Sequence, residues 1–240
     1  MLKGLFINKS GMLAQQRRLD VAANNLANLN TIGFKRETVF FRKLLDAMAE
    51  SDTVDANRTP GASHIDFRQG TLKETGNPLD VAIVGEGFFV VQAEEGELLT
   101  RNGNFQLDGE GRLVTLEGFP VATDGGEIQI SGGRLTFSEK GEIMVDGQIV
   151  GRLKLVTVDD PQLLEQRGNT FFAQGKASIS DLSAEKVNLR AGYLETSNVD
   201  PLQEMITMIE VNREYELGQK SIKSQDESLD KLINKAGRIS

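Results

Sequence analysis

The residues that could carry chemistry are few and lie apart from one another. The chain of 240 residues has one histidine, His64, and no cysteine. The lack of cysteine excludes disulfides, thiolate catalysis and cysteine-based zinc sites. His64 lies in a polar stretch, and nothing nearby completes a catalytic triad or a set of metal ligands. We therefore expect neither a catalytic base nor a metal ligand at this position.

Short glycine and acidic motifs are better explained by turns than by ligand binding. Asp108-Gly109-Glu110-Gly111 lacks the spacing of an EF-hand loop and is typical of a hairpin turn. Gly85-Glu86-Gly87 neither opens a helix nor has the third glycine of a dinucleotide site. The acidic pairs Glu94-Glu95 and Asp159-Asp160 lie at predicted turns, with no sign that they face each other across a cleft. The sequence thus predicts no catalytic residues, no metal and no cofactor, and hence a protein that is not an enzyme.

Composition and charge favour an elongated or multi-part molecule. Hydrophobic residues make up 39% of the chain and aromatic residues 6%, which is low for a single large core. Residues 1–43 hold eight basic and two acidic residues, a net charge of +6, which leaves −14 for the remainder. The basic residues are dispersed, so a solvated face is favoured over nucleic-acid or membrane binding. No apolar run approaches the roughly 20 residues of a membrane span, and the N-terminal apolar stretch is too short for a cleaved signal peptide.

Both ends of the chain have the seven-residue periodicity of paired helices. In residues 1–35 one apolar row comprises Leu5, Met12, Leu19 and Leu26, and a weaker second row ends with Ala22 and Leu29. Such rows predict a helix with a coiled-coil-like stripe. The pattern stops before Gly33, a natural left-handed cap.

The C-terminal segment repeats this design. Asp200 is predicted to be the N-cap, with Pro201 at the first helical position. The apolar row comprises Met208, Tyr215, Ile222 and Leu229, and its companion row of Met205, Asn212, Gln219, Asp226 and Ile233 is polar in the middle. Gly218 lies mid-helix, where glycine costs about 1 kcal/mol relative to alanine. It marks either a close approach between helices or a tolerated weakness.

The central part reads as short strands and turns. Apolar and polar residues alternate over short runs, and Asp108-Gly109, Asp124-Gly125 and Asp146-Gly147 are hairpin signals. We therefore predict an α+β fold, with long terminal helices paired as a coiled-coil-like domain and a central all-β domain of short strands. The predicted division is residues 1–35 for the N-terminal helix, 36–67 for a connector, 68–196 for the β domain and 197–240 for the C-terminal helix.

The helical ends are predicted to be assembly surfaces. Burying one apolar row per helix stabilises the pair by less than the conformational entropy cost of ordering about 60 residues. The helices should therefore need surfaces from neighbouring copies, and we expect them to be mobile in the monomer. The eight row residues are the predicted helix-pairing and assembly interface.

Four blocks of sequence resemble the bacterial flagellar rod and hook protein family. The blocks are Ser10–Gln16 with Asn24–Asn28 and Asn30–Lys35; Gln69–Leu72 with Thr75–Ile83 and Gly85–Phe89; Thr100–Phe105; and Gly192–Val199 followed by the C-terminal helix. They occur in the order found in the family and span nearly the whole chain.

The resemblance implies a structural role. In that family the terminal helices form the inner tube of the flagellar axial structure, with the β domain outside them. It implies a subunit of the basal-body rod, exported uncleaved by the flagellar type III apparatus into the periplasm. There it would join copies of itself and other rod proteins, inside the basal-body rings, in a hollow shaft that transmits torque and conducts later subunits. Neither nucleic acid nor a small-molecule substrate is implied.

The member of the family is indicated by length. Hook proteins carry additional outer domains, for which 240 residues leave no room. Distal rod proteins have a longer insertion after the first helix, and the stretch from Ala47 to Phe67 is short, which favours a proximal rod protein over a distal one. An enzymatic alternative is a carboxylate hydrolase that acts on the cell wall. The sequence does not support it, because no residues form a recognisable set of nucleophile and base.

Overall fold

The computed structural model describes residues 2–40, 62–126, 128–130, 132–183 and 185–236. These residues form a mixed α/β fold with one helix at each end and a β-rich region between them, as predicted. Residues 41–61 of the predicted connector lie outside the described residues. None of the described helices has the length and hydropathy needed to cross a membrane.

The elements are as follows. The helices are α1 (Leu2–Ala27) and α2 (Pro201–Ala236), with a single-turn 3-10 helix at Pro161–Leu163. The strands are β1 (Glu37–Phe40), β2 (Ala62–Ile65), β3 (Leu72–Glu74), β4 (Val81–Ile83), β5 (Phe88–Ala93), β6 (Gly96–Thr100), β7 (Phe105–Leu107), β8 (Leu113–Thr115), β9 (Leu135–Phe137), β10 (Glu142–Val145), β11 (Gln148–Arg152), β12 (Leu155–Val158), β13 (Glu165–Arg167), β14 (Phe171–Ala173), β15 (Ile179–Asp181), β16 (Leu189–Ala191) and β17 (Tyr193–Glu195).

The chain folds into two compact units. Of the described residues, the first unit contains α1, the β1–β2 pair and α2, and the second contains residues 28–36 and 66–199. This division differs from the predicted one at the N-terminal side. Residues 28–35, predicted to belong with the first helix, are part of the second unit, and residues 37–40 and 62–65 of the predicted connector form a strand pair in the first.

Two side chains in the first unit form hydrogen bonds at the start of α2 and near the end of α1. The Asp200 carboxylate accepts hydrogen bonds from the main-chain N–H groups of Leu202 (2.9 Å) and Gln203 (3.2 Å), which confirms the predicted N-cap. Near the end of α1 the buried side-chain amide of Asn25 forms with Glu37 the two hydrogen bonds that a residue of a neighbouring antiparallel strand would form. Its Nδ2 donates to the Glu37 carbonyl (2.7 Å), and its Oδ1 accepts from the Glu37 N–H (2.9 Å). Asn25 therefore fixes the start of β1.

The second unit is built from antiparallel sheets. One has six strands in the order β13-β14-β6-β5-β12-β15, another has three in the order β11-β10-β9, and β16-β4, β17-β3 and β7-β8 form pairs. The turns at Asp108-Gly109 and Asp146-Gly147 join β7 to β8 and β10 to β11, as predicted. Asp146 and Gly147 both have positive φ (50° and 84°), as a two-residue hairpin turn of this hand requires.

One continuous apolar core lies in the second unit. Its members that are at most 2% exposed come from β4, β5, β7, β10, β16 and the residues that precede β12: Val81, Ile83, Phe89, Val91, Phe105, Ile143, Leu153 and Leu189. Phe89 and Phe105 meet edge to face with ring centroids 5.1 Å apart. The core therefore includes a strand, β16, that comes from near the C-terminal end of the unit.

Candidate assembly face and buried charge cluster

Helices α1 and α2 contact each other within the first unit. Arg18 Nη1 lies 3.3 Å from Glu214 Oε2, an ion pair at a partly exposed position. A Cβ added at Gly218 would lie 3.2 Å from Met12 Cγ. Gly218 therefore marks a close approach between the two helices, which decides between the alternatives that the sequence left open.

Six of the eight predicted row residues have described side chains, and all six are partly buried. They are Met12, Leu19 and Leu26 on α1, and Met208, Tyr215 and Ile222 on α2. The side chains of Leu5 and Leu229 lie outside the described residues. The role of the eight residues in assembly stays a prediction.

The companion row on α2 was predicted one residue out of register. Met205, Asn212 and Gln219 are exposed, whereas Glu204 and Val211 are buried and Gly218 is partly buried. The register differs because Glu204 is buried despite its charge, so hydrophobicity alone indicates its apolar neighbour Met205. Apart from Thr207, the less exposed positions of α2 from 204 to 222 are spaced alternately four and three residues apart, the spacing of a heptad seam.

The opposite side of α2 carries an exposed apolar stripe. Its members are Leu202 (65% exposed), Met205 (47%), Ile206 (42%), Ile209 (54%) and Leu217 (65%), which we call the α2 stripe. At about 100° per residue, the stripe centres about 180° around the helix from Glu204, Val211 and Gly218. A soluble helix normally presents polar residues on its outward side, so the α2 stripe is a candidate contact surface.

A buried charge cluster lies in the second unit, with Glu195 at its centre. One carboxylate oxygen, Oε1, accepts from Lys35 Nζ and from the Gly70 N–H (3.0 Å). The other, Oε2, accepts from Arg101 Nη1 at 3.3 Å. The side chains of Lys35 and Glu195 are 1% exposed and that of Arg101 is 5% exposed. We call Lys35, Gly70, Arg101 and Glu195 the Glu195 cluster.

The cluster holds two cations and one anion. Burial lowers the pKa of the Lys35 ammonium, Glu195 raises it by attraction, and Arg101 lowers it again by repulsion. Burial likewise lowers the pKa of the Arg101 guanidinium, against the attraction of Glu195. Lys35 donates further to the Arg68 carbonyl (2.9 Å) and Arg101 to the Gly85 carbonyl (2.8 Å), while the guanidinium lies 5.2 Å from the centre of the Phe88 ring. Among the described residues, Glu195 is therefore the one carboxylate that balances this charge at hydrogen-bonding distance.

Backbone contacts surround the cluster where only glycine fits. Gly33 has φ +71° and donates its N–H to the Glu195 carbonyl (2.8 Å). A Cβ at Gly33 would lie 2.5 Å from the main-chain nitrogen of Asn102, and a Cβ at Gly70 would lie 2.0 Å from the carbonyl oxygen of Thr196. Residues 28–36 are thereby held against the rest of the second unit, and Phe34 within this segment is 1% exposed.

Sequence reasoning missed the Glu195 cluster. Lys35 and Glu195 are 160 residues apart, and Arg101 and Glu195 are 94 apart, so no local spacing connects them. The available signal was indirect, since Lys35, Gly70, Arg101 and Glu195 each belong to a different one of the four blocks that carry the family resemblance. The cluster is where these blocks meet.

Asp108, Asp160 and His64 each take part in local hydrogen bonds. Asp108 accepts from the N–H groups of Glu110 (2.9 Å) and Arg112 (2.8 Å), and these bonds, with the Arg112 side chain, lower its pKa. Asp160 caps the 3-10 helix, and the His64 carbonyl accepts from Thr38 in the β1–β2 pair. Across the described ranges, no group of three or more potential metal-binding side chains occurs.

Three family models match the chain in sequence order. They are described as flagella basal body rod protein (residues 7–35), flagellar hook protein FlgE/F/G D1 domain (82–150) and flagellar basal body rod FlgEFG protein C-terminal (190–235). The first and third matches cover most of α1 and α2, and the second lies in the β-rich region.

Whole-chain relatives agree with these matches. The flagellar basal-body rod protein FlgG of Buchnera aphidicola subsp. Acyrthosiphon pisum is 35% identical over 97% of this chain and 99% of its own length. FlgF of Caulobacter vibrioides is 34% identical over 98% of each chain, and FlgG of Bacillus subtilis is 33% identical over 98% of this chain and 99% of its own. With its terminal helices, its β-rich second unit and this similarity along its length, the chain belongs to the flagellar rod and hook protein family.

Proposed function

We propose that this protein is a non-enzymatic structural subunit of the flagellar basal-body rod. It assembles through its terminal helices with copies of itself and with other rod proteins. The relatives that match over the whole chain carry the name of flagellar basal-body rod proteins. Within this chain, the observation that carries the proposal is the α2 stripe, which leaves five large apolar side chains exposed on the side of α2 opposite the heptad-spaced positions.

The α2 stripe has the chemistry of a subunit interface. Apolar side chains repeated along one side of a helix are stabilised by covering them with another apolar surface. The flanking charges are mainly acidic on this half of the helix, where Glu210 and Glu216 outnumber Arg213, while Glu214 pairs with Arg18 of the same chain. Residues 1–27 carry four basic residues and one acidic residue. The proposed contact therefore joins the α2 stripe of one copy to the N-terminal helix of a neighbour.

Pairing of α1 with α2 completes the proposed assembly element. The heptad-spaced positions of α2 and the predicted row on α1 support a coiled-coil-like pair, in which Leu5, Met12, Leu19, Leu26, Met208, Tyr215, Ile222 and Leu229 form the apolar seam. In the assembled rod such pairs would line a hollow shaft that transmits torque and conducts exported subunits. The proposed route to this place is export by the flagellar type III apparatus into the periplasm, without a cleaved signal peptide.

We place the protein in the proximal rod in preference to the distal rod. Distal rod proteins carry a longer insertion after the first helix, and this chain is short there. Alignments with relatives named FlgF span 240 to 243 residues, close to the 240 residues of this chain. Alignments with relatives named FlgG span 253 to 262 residues and therefore include gaps in this chain. Basal bodies purified from a strain that lacks its distal rod protein should still contain this chain. Its absence from them would assign it to the distal segment.

The rod function is tested by complementation of a deletion strain. Deletion should abolish motility, and electron microscopy should show basal bodies without hooks. Ile209→Asp places a charge in the α2 stripe, where an unpaired buried charge costs several kcal/mol, so the variant should be exported but not incorporated. Leu19→Asp should fail in the same way if the proposed seam is correct.

Asn212→Asp is the matched control. It adds the same charge to the same helix at an exposed position outside the α2 stripe, and it should restore motility. Far-ultraviolet circular dichroism on each purified variant checks that the β-rich unit is intact. Normal hooks in the deletion strain would contradict the rod function, whereas normal incorporation of Ile209→Asp would contradict only the assignment of the interface.

A further inference from the structure

The second unit is closed by a segment from near its C-terminal end. Residues 189–199, which we call the closing segment, supply β16 and β17. β16 pairs with β4, whose three residues are all buried, and β17 pairs with β3. Leu189 belongs to the apolar core and is fully buried. The core and both of these strand pairs are therefore incomplete until the closing segment is in place.

The closing segment also holds the N-terminal part of the unit. The Asn198 side chain accepts from the Arg36 N–H (2.7 Å) and donates to the carbonyls of Asp66 (2.7 Å) and Arg68 (3.0 Å). The Thr196 N–H donates to the Thr71 carbonyl (2.9 Å), and the Glu195 carbonyl accepts from Gly33 (2.8 Å). Residues 28–36 and 66–71 are thus joined to each other through residues 195–198.

The Glu195 carboxylate is needed for this junction to be buried. Its carboxylate accepts from three segments of the chain, at Lys35, Gly70 and Arg101. Without it, two cations would be left close together in a site that water does not reach. Because a buried charge without its partner is strongly unfavourable, the segments cannot close around an empty position.

We propose that the second unit closes late in folding, when Glu195 enters the site formed by residues 28–36, 66–71 and Arg101. Contacts between residues 33–36 and 195–198 bridge about 160 residues, so they carry a large loop-closure entropy that nearby strand pairs such as β5–β6 do not. A chain that emerges from its N-terminal end first therefore holds this unit open until its closing segment has emerged. This device does not depend on the rod function.

The order of closure is tested by refolding kinetics of the full chain. The chain has no tryptophan, so Phe119→Trp places a single fluorescent reporter in the second unit, where Phe119 packs on Phe171 with ring centroids 5.4 Å apart. In this background Glu195→Gln removes the charge and keeps the shape. Unfolding should accelerate by roughly a hundredfold while folding changes less than twofold, the pattern of an interaction absent from the transition state.

Glu97→Gln is the matched control, because Glu97 pairs with Lys154 at an exposed position (2.9 Å) and should change neither rate by more than about twofold. If the folding rate constant of Glu195→Gln falls by the same factor as its folding equilibrium constant, the proposal is overturned, because Glu195 then makes its contacts before the transition state. Equal unfolding rates for Glu195→Gln and Glu97→Gln would also overturn the proposal, because the Glu195 carboxylate would then be dispensable.

Pulse-labelling amide exchange on the unsubstituted chain gives a second test that does not depend on a variant folding. The amides of Gly33, Gly70 and Thr196 bond to the closing segment or donate from it, and they should become protected after those of Val91 and Leu98 in the β5–β6 pair. Protection of the first group together with or before the second would contradict late closure.

Discussion

Replacing Gly70 by alanine tests the packing around the closing segment most directly. The added Cβ would lie 2.0 Å from the carbonyl oxygen of Thr196 and 3.1 Å from its carbon. The first distance is about 1 Å or more short of an ordinary contact, and the obstructing atom is main chain that cannot rotate away. The segments around Gly70 and Thr196 must therefore move apart, which also weakens the bond from the Gly70 N–H to Glu195 (3.0 Å).

The expected loss follows from three terms. Forcing an extra carbon into a packed site costs about 1–3 kcal/mol. Weakening a buried hydrogen bond to a charged acceptor costs about 1–3 kcal/mol. Alanine offsets about 0.4–1 kcal/mol by restricting the unfolded chain. We expect Gly70→Ala to reduce the free energy of unfolding by about 3 kcal/mol.

Urea denaturation followed by a tryptophan at position 119 measures this loss for the second unit. With a denaturant dependence of about 2 kcal/mol per molar, the midpoint should fall by about 1.5 M. Gly109→Ala is the matched control, because its Cβ would meet nothing within 4 Å and Gly109 is absent from the glycines with positive φ. That variant should unfold at the midpoint of the parent or slightly above it. Midpoints for the two variants within about 0.3 M of each other would refute the packing argument.

Two further predictions concern charge and helix packing. Arg68 holds the pKa of Asp66 below 3.8, so the folded state gains stability from this carboxylate above that pH and loses it as the pH falls through the lowered value. Asp66→Asn should therefore be less stable than the parent at pH 7 by at most about 1 kcal/mol, since Arg68 is largely exposed, with the deficit shrinking below pH 3.8 in urea titrations. In α1, Gly11→Ala meets nothing within 4 Å and should raise helix stability by about 0.5–1 kcal/mol. Gly218→Ala should gain less, because its Cβ would crowd Met12, and equal gains in thermal melts followed at 222 nm would mean that the helices do not approach here.

The terminal helices were predictable because their signals are local. A seven-residue row, an N-cap at Asp200 and a stop before Gly33 are each visible within a few turns of sequence. They indicated most of α1 and the start of α2, although α1 ends at Ala27, eight residues before the predicted end. The register of the second row on α2 was missed because burial of Glu204 contradicts its polarity. A pattern read from hydrophobicity alone cannot find a buried carboxylate.

The turns of the second unit were also predictable, but its sheet order was not. Asp-Gly pairs determine a hairpin through the conformation of two residues, as at Asp146 and Gly147. The pairing of β16 with β4 and of β17 with β3 joins strands more than 100 residues apart. No local preference encodes such a pairing, because it depends on which buried surfaces remain to be covered after the nearby hairpins have formed.

The four blocks that carry the family resemblance acquire a physical meaning from the Glu195 cluster. Each supplies one member, namely Lys35, Gly70, Arg101 and Glu195, and the glycines among these blocks allow the backbones to approach where a side chain would collide. Two of the blocks include or adjoin a terminal helix, yet their residues at the cluster belong to the second unit. Part of the sequence signature thus describes how the second unit closes around a buried carboxylate, while the α2 stripe, which carries the proposed assembly contact, lies in the C-terminal helix that follows the last block.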